Sequence, residues 1–171
     1  MSMIAAATPA PVLVFGYGNP SRGDDALAPL LLQALQSDDR LAGASDQVEF
    51  LTDFQLQVEH ALDLAERRVV LFADAHVSCP APFTFTRLSE ARDDSYTTHA
   101  MSPAAVLHVY RQVCGRAPPP CYLLSIRGQQ FELGEPLGDE ARDHLEAAVA
   151  FARDLLSDTT PARWQTLAAS G

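Results

Sequence analysis

Three short stretches of this chain are apolar almost without interruption: Val12-Leu13-Val14-Phe15, Val69-Val70-Leu71-Phe72-Ala73 (entered from Arg68) and Tyr122 to Ile126. A strand with one wet face alternates apolar and polar residues, whereas a strand covered on both faces does not. Continuous runs of this kind therefore predict the centre of a parallel sheet with helices on both sides. The segments between them agree. Ala26 to Gln36 has a helical apolar face of Leu27, Leu30, Leu31, Ala34 and Leu35, and Pro29 is tolerated there only in the first turn. Val48 to Leu51 reads as a short strand. Leu56 to Ala65 reads as a second helix, with Leu56, Ala61, Leu62 and Leu64 inward. Phe83 to Thr86 alternates with period two, as an edge strand does. Ser102-Pro103 opens a helix to Val113, since Ser caps and Pro suits the first helical position. Asp139 to Leu156 is a long amphipathic helix, with Leu145, Ala148, Val149, Ala152 and Leu156 on one face.

The order β-α-β-α-β-β-α-β-α predicts a single three-layer α/β/α domain with right-handed crossovers. Its sheet should be mostly parallel and twisted, of about five strands, with Phe83 to Thr86 the antiparallel edge strand. Residues 1–11 read as a flexible leader, 12–157 as the domain and 158–171 as a frayed C-terminal tail. A length of 171 residues suits one domain, one that hides about 70% of its unfolded surface.

Composition narrows the partners. The net charge is −10, and every basic residue is Arg. An acidic chain without basic clusters is a poor partner for nucleic acid or an anionic membrane. No apolar run approaches the ~18 residues of a membrane span. Cys79, Cys114 and Cys121 form no CxxC pair, which argues against structural zinc and suits a reducing compartment. The start, MSMIAAATPAP, lacks the positive segment of a signal peptide, so a cytoplasmic location is expected.

Chemistry in open α/β sheets gathers beyond the carboxyl ends of the parallel strands. Strand one ends in Gly16-Tyr17-Gly18-Asn19-Pro20-Ser21-Arg22-Gly23-Asp24-Asp25, strand three in Asp74-Ala75-His76, and the last in Ser125-Ile126-Arg127-Gly128. The glycine loop is not a dinucleotide fingerprint, because Ser21 stands where the third small residue belongs. Two carboxylates at the helix start would also repel a pyrophosphate. A Walker loop is excluded, since the chain has no Lys. The same acids suit a cation: Asp25, Asp74 and a histidine make an oxygen–oxygen–nitrogen set fit for nickel or zinc. Set against this, Asp24-Asp25 serves equally as a helix cap and Asp74 as a strand-end turn residue. His60, His76, His99, His108 and His144 are all candidates by chemistry, with His108 and His144 inside predicted helices. Nucleophile readings are weaker. No G-x-S-x-G elbow exists, and Cys79 reads as readily as a small buried hydrophobe.

The opening segment from Val12 to Asp25 resembles the first motif of the [NiFe]-hydrogenase maturation endopeptidases, and the likeness extends roughly over residues 12 to 156. Enzymes of that family remove a C-terminal peptide from the hydrogenase large subunit once nickel is installed. The resemblance implies a metal-binding and catalytic set of Asp25, Asp74 and, through Thr97-Thr98-His99-Ala100-Met101, His99. The version after strand two, Thr52-Asp53-Phe54-Gln55-Leu56-Gln57-Val58-Glu59-His60, looks like the branch that serves cytoplasmic, NAD-coupled hydrogenases. The implied metal is nickel carried by the substrate, for which zinc or cadmium would substitute in a crystal. The implied partner is the large-subunit precursor. Gln55 and Glu59, four apart at the start of the second helix, are expected on one face toward the crevice. With Arg127 they are the expected substrate contacts. Asp24 should cap the first helix while Asp25 faces the crevice. Two other classes fit the scaffold: a non-catalytic metal or cofactor chaperone, and a flavin-binding module.

Overall fold

The computed structural model describes residues 8–90 and 101–168. Five strands form one sheet: β1 (Val12–Tyr17), β2 (Val48–Asp53), β3 (Val69–His76), β4 (Phe83–Arg87) and β5 (Cys121–Arg127), in the order β2-β1-β3-β5-β4. The first four in that order run parallel, and β4 lies antiparallel on β5 at the edge. The apolar runs occupy the central strands β1, β3 and β5, where both faces are covered. Helices α1 (Leu27–Gln36) and α3 (Asp139–Ser157) pack on one face. Val12, Val14, Leu71, Ala73, Leu124 and Ile126 meet them there. Helix α2 (Pro103–Cys114) and a 3-10 turn cover the other, against Leu13, Phe15, Val70, Phe72 and Cys121. The three-layer reading and its single antiparallel edge strand are what the structure shows. No described helix is long and apolar enough to cross a membrane.

Two elements differ from expectation. The segment after β2 is a 3-10 helix over Val58–Leu64, not an α-helix over 56–65. With three residues per turn, Ala61 and Leu64 share the buried side, while Leu62 turns outward and is 60% exposed. Residues Pro161–Leu167 form a fourth helix, α4, where a frayed tail was expected. Its Trp164 is fully buried, edge-on to Phe85 and Tyr122, and its indole N–H donates to the Leu155 and Asp158 carbonyls, both at 3.1 Å. One large aromatic with a satisfied N–H is enough to dock a seven-residue helix that carries little periodic signal.

Candidate active site at the carboxyl edge of the sheet

The register of the parallel strands decides which polar residues meet. Gly16 pairs with Ala73, which brings Tyr17 alongside Asp74, and Asp74 pairs with Ser125. Tyr17, Asp74 and Ser125 thus form a row across β1, β3 and β5, one step beyond the last apolar layer. Strand periodicity puts all three on the α2 side, in line with Phe15 and Phe72. The Tyr17 phenol donates to Asp74 Oδ2 at 2.9 Å. Asp74 Oδ1 is buried and has no hydrogen-bond partner among the described residues. Burial, above all, holds the Asp74 carboxyl above its ordinary range. The nearby Ser125 hydroxyl, which makes no hydrogen bond of normal geometry to Asp74, and the bonded Tyr17 hydroxyl pull it down, and the Asp25 charge pushes it further up. Burial and then the Asp74 charge likewise push the Tyr17 phenol well above its usual value, so it remains a donor.

Asp25 lies in the β1–α1 loop, near enough for its charge to act on Asp74 and Tyr17. Its Oδ2 accepts the Asn19 N–H at 2.6 Å and so closes that loop on itself, while Asn19 Oδ1 accepts the Ser21 N–H. The loop can be this tight only with glycine at position 18, where a Cβ would stand 2.2 Å from the Asp25 carbonyl oxygen.

Asp24 does something other than cap α1. A 3-10 turn over Gly23–Ala26 precedes the helix, and neither it nor α1 has a side-chain cap. Asp24 is instead 1% exposed. Its carboxylate accepts three backbone N–H groups from the β5–α3 loop: Gln129 at 2.7 Å, Gln130 at 3.1 Å and Gly138 at 2.8 Å. Backbone bonds from Asp24 N to Gln130 O, Gly23 N to Glu135 O and Gly134 N to Ser21 O complete the seam. Asp24 is therefore the clamp that joins two loops of the site, with Asp25 left over toward the crevice.

The histidines divide by hydrogen bonding. His60 Nδ1 accepts the Gln57 N–H at 2.8 Å and Nε2 meets Asp53 Oδ2 at 3.1 Å, so both ring nitrogens serve the turn after β2. His76 Nδ1 accepts two backbone N–H groups, from Ser78 and Cys79, both at 3.1 Å. The neutral ring then carries its proton on Nε2 and has no lone pair left for a metal. His144 Nδ1 meets the Arg127 carbonyl at 2.8 Å and ties α3 to the end of β5. His99 lies outside the described residues. Among the described residues no group of three or more His, Cys, Asp and Glu is gathered to hold a metal ion. Asp25 lies near enough for its charge to act on Asp74, and Asp74 Oδ1 is buried without a partner among the described residues. A buried carboxylate oxygen without a partner is costly and uncommon, which fits an external ligand at this point.

The expected substrate contacts fare differently. Gln55 precedes the 3-10 helix and Glu59 is in its first turn. The i, i+4 argument that put them on one face does not apply, because no α-helix spans them; Gln55 is half-buried and Glu59 exposed. Arg127 is at the carboxyl end of β5, where its Nη1 donates to the Cys79 carbonyl at 2.8 Å and its Nε is buried without a partner among the described residues. Cys79 sits over the same corner, its thiol toward the Ser125 carbonyl. Burial first, then the Asp74 charge, push that thiol above its ordinary range, which removes it as a ready nucleophile. The sequence reading passed over Tyr17 and Ser125. Their signal was positional, as polar tips two residues beyond Phe15 and Leu123 on the same strand face.

No protein-family model matches the sequence, and no curated protein matches it either. Solved structures do match. A [NiFe] hydrogenase maturation protease, HycI, from Thermococcus kodakarensis KOD1 is 18% identical with a TM-score of 0.65, over 88% of this chain and 94% of that one. The hydrogenase maturating endopeptidase HybD from E. coli is 25% identical with a TM-score of 0.65, over 86% and 93%. A hydrogenase 2 maturation peptidase from a Thaumarchaeota archaeon is 21% identical with a TM-score of 0.60, over 85% and 97%. The chain shares its fold with these proteins over 85–88% of its length.

Proposed function

We propose that this chain is an endopeptidase that removes the C-terminal extension of a [NiFe]-hydrogenase large-subunit precursor after nickel insertion. The observation that carries the reading is the buried Asp74 carboxyl at the carboxyl edge of the sheet, with Asp25 near enough for its charge to act on it. The buried Asp74 Oδ1 has no partner among the described residues, and the solved structures named above that share this fold are hydrogenase maturation proteases. Nickel enters as part of the substrate. Asp25 and Asp74, with His99 as the third ligand, touch the nickel that the precursor already holds, so a finished metal site is what admits the substrate. Carboxylate oxygens and an imidazole suit that ion. With the metal docked against Asp74, the scissile peptide bond is held near two acids in a fixed geometry, which is the positioning component of catalysis. Gln55, Glu59 and Arg127 bound the approach of the precursor chain. The resemblance of residues 52–60 supports a cytoplasmic, NAD-coupled hydrogenase as the partner and the cytoplasm as the location, and the acidic composition argues against nucleic acid or membrane as a partner.

The test is direct. Purified protein is mixed with nickel-loaded and nickel-free precursor, and the released peptide is followed by mass spectrometry. Release from the loaded form alone is expected, and Asp25→Asn or Asp74→Asn should slow it at least a hundredfold, the scale for loss of an interaction made at the reacting centre. Metal-dependent binding of the precursor with no peptide released would replace the protease with a chaperone.

A further inference from the structure

Asp74 has two oxygens in unequal surroundings. Oδ2 accepts the Tyr17 phenol at 2.9 Å, and Oδ1 is buried with no partner among the described residues. The difference is built into the sheet rather than into a mobile loop. Tyr17 is the last residue of β1, held by pairing with β2 at Asp53 and followed by the bond from Gly18 N to Asp53 O at 3.1 Å. Its ring packs with the apolar layer that contains Phe15 and Phe72. Asp74 is fixed in turn by its pairing with Ser125 on β5, one residue beyond the last β1 pairing at Ala73. A carboxylate binds a cation through one oxygen or through both. When one oxygen is engaged by a neighbouring hydroxyl, the other is the one presented.

We propose that Tyr17 is a positioning residue, which holds Asp74 so that it meets the metal through Oδ1 alone. This rests on the reading of Asp74 as a ligand. The effect of Tyr17 runs entirely through Asp74, because its hydroxyl is spent on Oδ2. Hydroxyl partners of this kind orient ligands, and their loss commonly lowers metal affinity about 10- to 100-fold.

The probe is Ni2+ alone, titrated calorimetrically into the full chain, with infrared difference spectra of the carboxylate stretches. Asp74→Asn identifies the component of binding, and the bands, that belong to Asp74. In the unmodified protein those bands should show the wide separation of one-oxygen coordination. Tyr17→Phe keeps the ring, so the thermal midpoint should stay within a few degrees. It should weaken the Asp74-dependent component about 10- to 100-fold and narrow the band separation toward two-oxygen coordination. Affinity within twofold of the unmodified protein with unchanged bands would overturn the role of Tyr17, and so would two-oxygen bands in the unmodified protein itself. Both results leave Asp74 as a ligand. If Asp74→Asn binds Ni2+ as the unmodified protein does, Asp74 is no ligand, and the role of Tyr17 falls with it.

Discussion

The two ends of the sheet treat polar groups in opposite ways. At the amino ends of the strands, buried polar groups are used up by the protein itself. Arg67, before β3, donates through Nη1 to the Ala10 carbonyl, through Nε to the Asp63 carbonyl and through Nη2 to Glu49. The Trp164 indole N–H has two carbonyl acceptors. At the carboxyl ends the balance is left open. The two buried side-chain atoms without partners among the described residues, Asp74 Oδ1 and Arg127 Nε, are both there. One end is arranged for stability and the other holds unmet hydrogen-bonding capacity, the local inconsistency that marks a working site.

The largest change expected from breaking this contrast is at the amino end. Trp164→Ala removes a fully buried aromatic and two hydrogen bonds, and should lower stability by about 3–5 kcal/mol, measured by chemical denaturation. The folded fraction should process precursor at an unchanged rate. A loss under about 1 kcal/mol, the scale of an ordinary surface change, would return residues 161–167 to a dispensable tail.

The second comparison sharpens the carboxyl end, where adjacent acids have separate duties. Hydrogen bonds to a charged acceptor contribute roughly 1.5–3 kcal/mol each and are not fully additive when shared. Asp24 accepts three, so Asp24→Ala should cost about 3–5 kcal/mol, more than an ordinary cap would. Hydrogen exchange at Gln129, Gln130 and Gly138 should accelerate. Asp25→Asn keeps an oxygen for the Asn19 N–H, so its stability should stay within about 0.5 kcal/mol while processing is lost. Equal destabilisation by both would mean that neither acid is free for chemistry.

How much of this was legible in the sequence follows from the kind of signal each part leaves. The central strands were legible because burial on both faces forces unbroken apolar runs. The edge strand β4 was legible because Phe83 and Phe85 alternate with Thr84 and Thr86. The turn after β2 was misread, since a 3-10 helix and an α-helix draw on the same residues, and only period three puts Leu62 in solvent. The service of Asp24 was hidden because its three donors lie more than a hundred positions away, and a cap is the local explanation of the same residue. The ends of β1 and β3, which carry Asp25 and Asp74, were brought together by topology, since β1 and β3 are neighbours. Tyr17 was not legible, because the register that sets it beside Asp74 is a property of the assembled sheet.

The smallest effect expected concerns Asp74, and its sign is opposite to the others. Burial holds the folded-state pKa of this carboxyl above its value in the unfolded chain. A group so raised contributes stability that is fully present below the unfolded value, about 3.9 for Asp. That contribution is lost as pH rises through the raised folded value. Above that raised value the native state carries a poorly solvated charge. Asp74→Asn removes that charge and leaves an amide oxygen able to accept the Tyr17 hydroxyl. The variant should be inactive yet more stable at about pH 7 by about 1 kcal/mol, the low end of the desolvation penalty for a buried unpaired group. The gain should shrink on acidification and vanish near pH 3, where the native carboxyl is already neutral. Paired denaturation curves across that range check it, because all other carboxyls are common to the two proteins and cancel in the difference. A variant less stable than the unmodified protein at neutral pH would show that the Asp74 charge is compensated within the fold, and would remove the contrast between the two ends of the sheet.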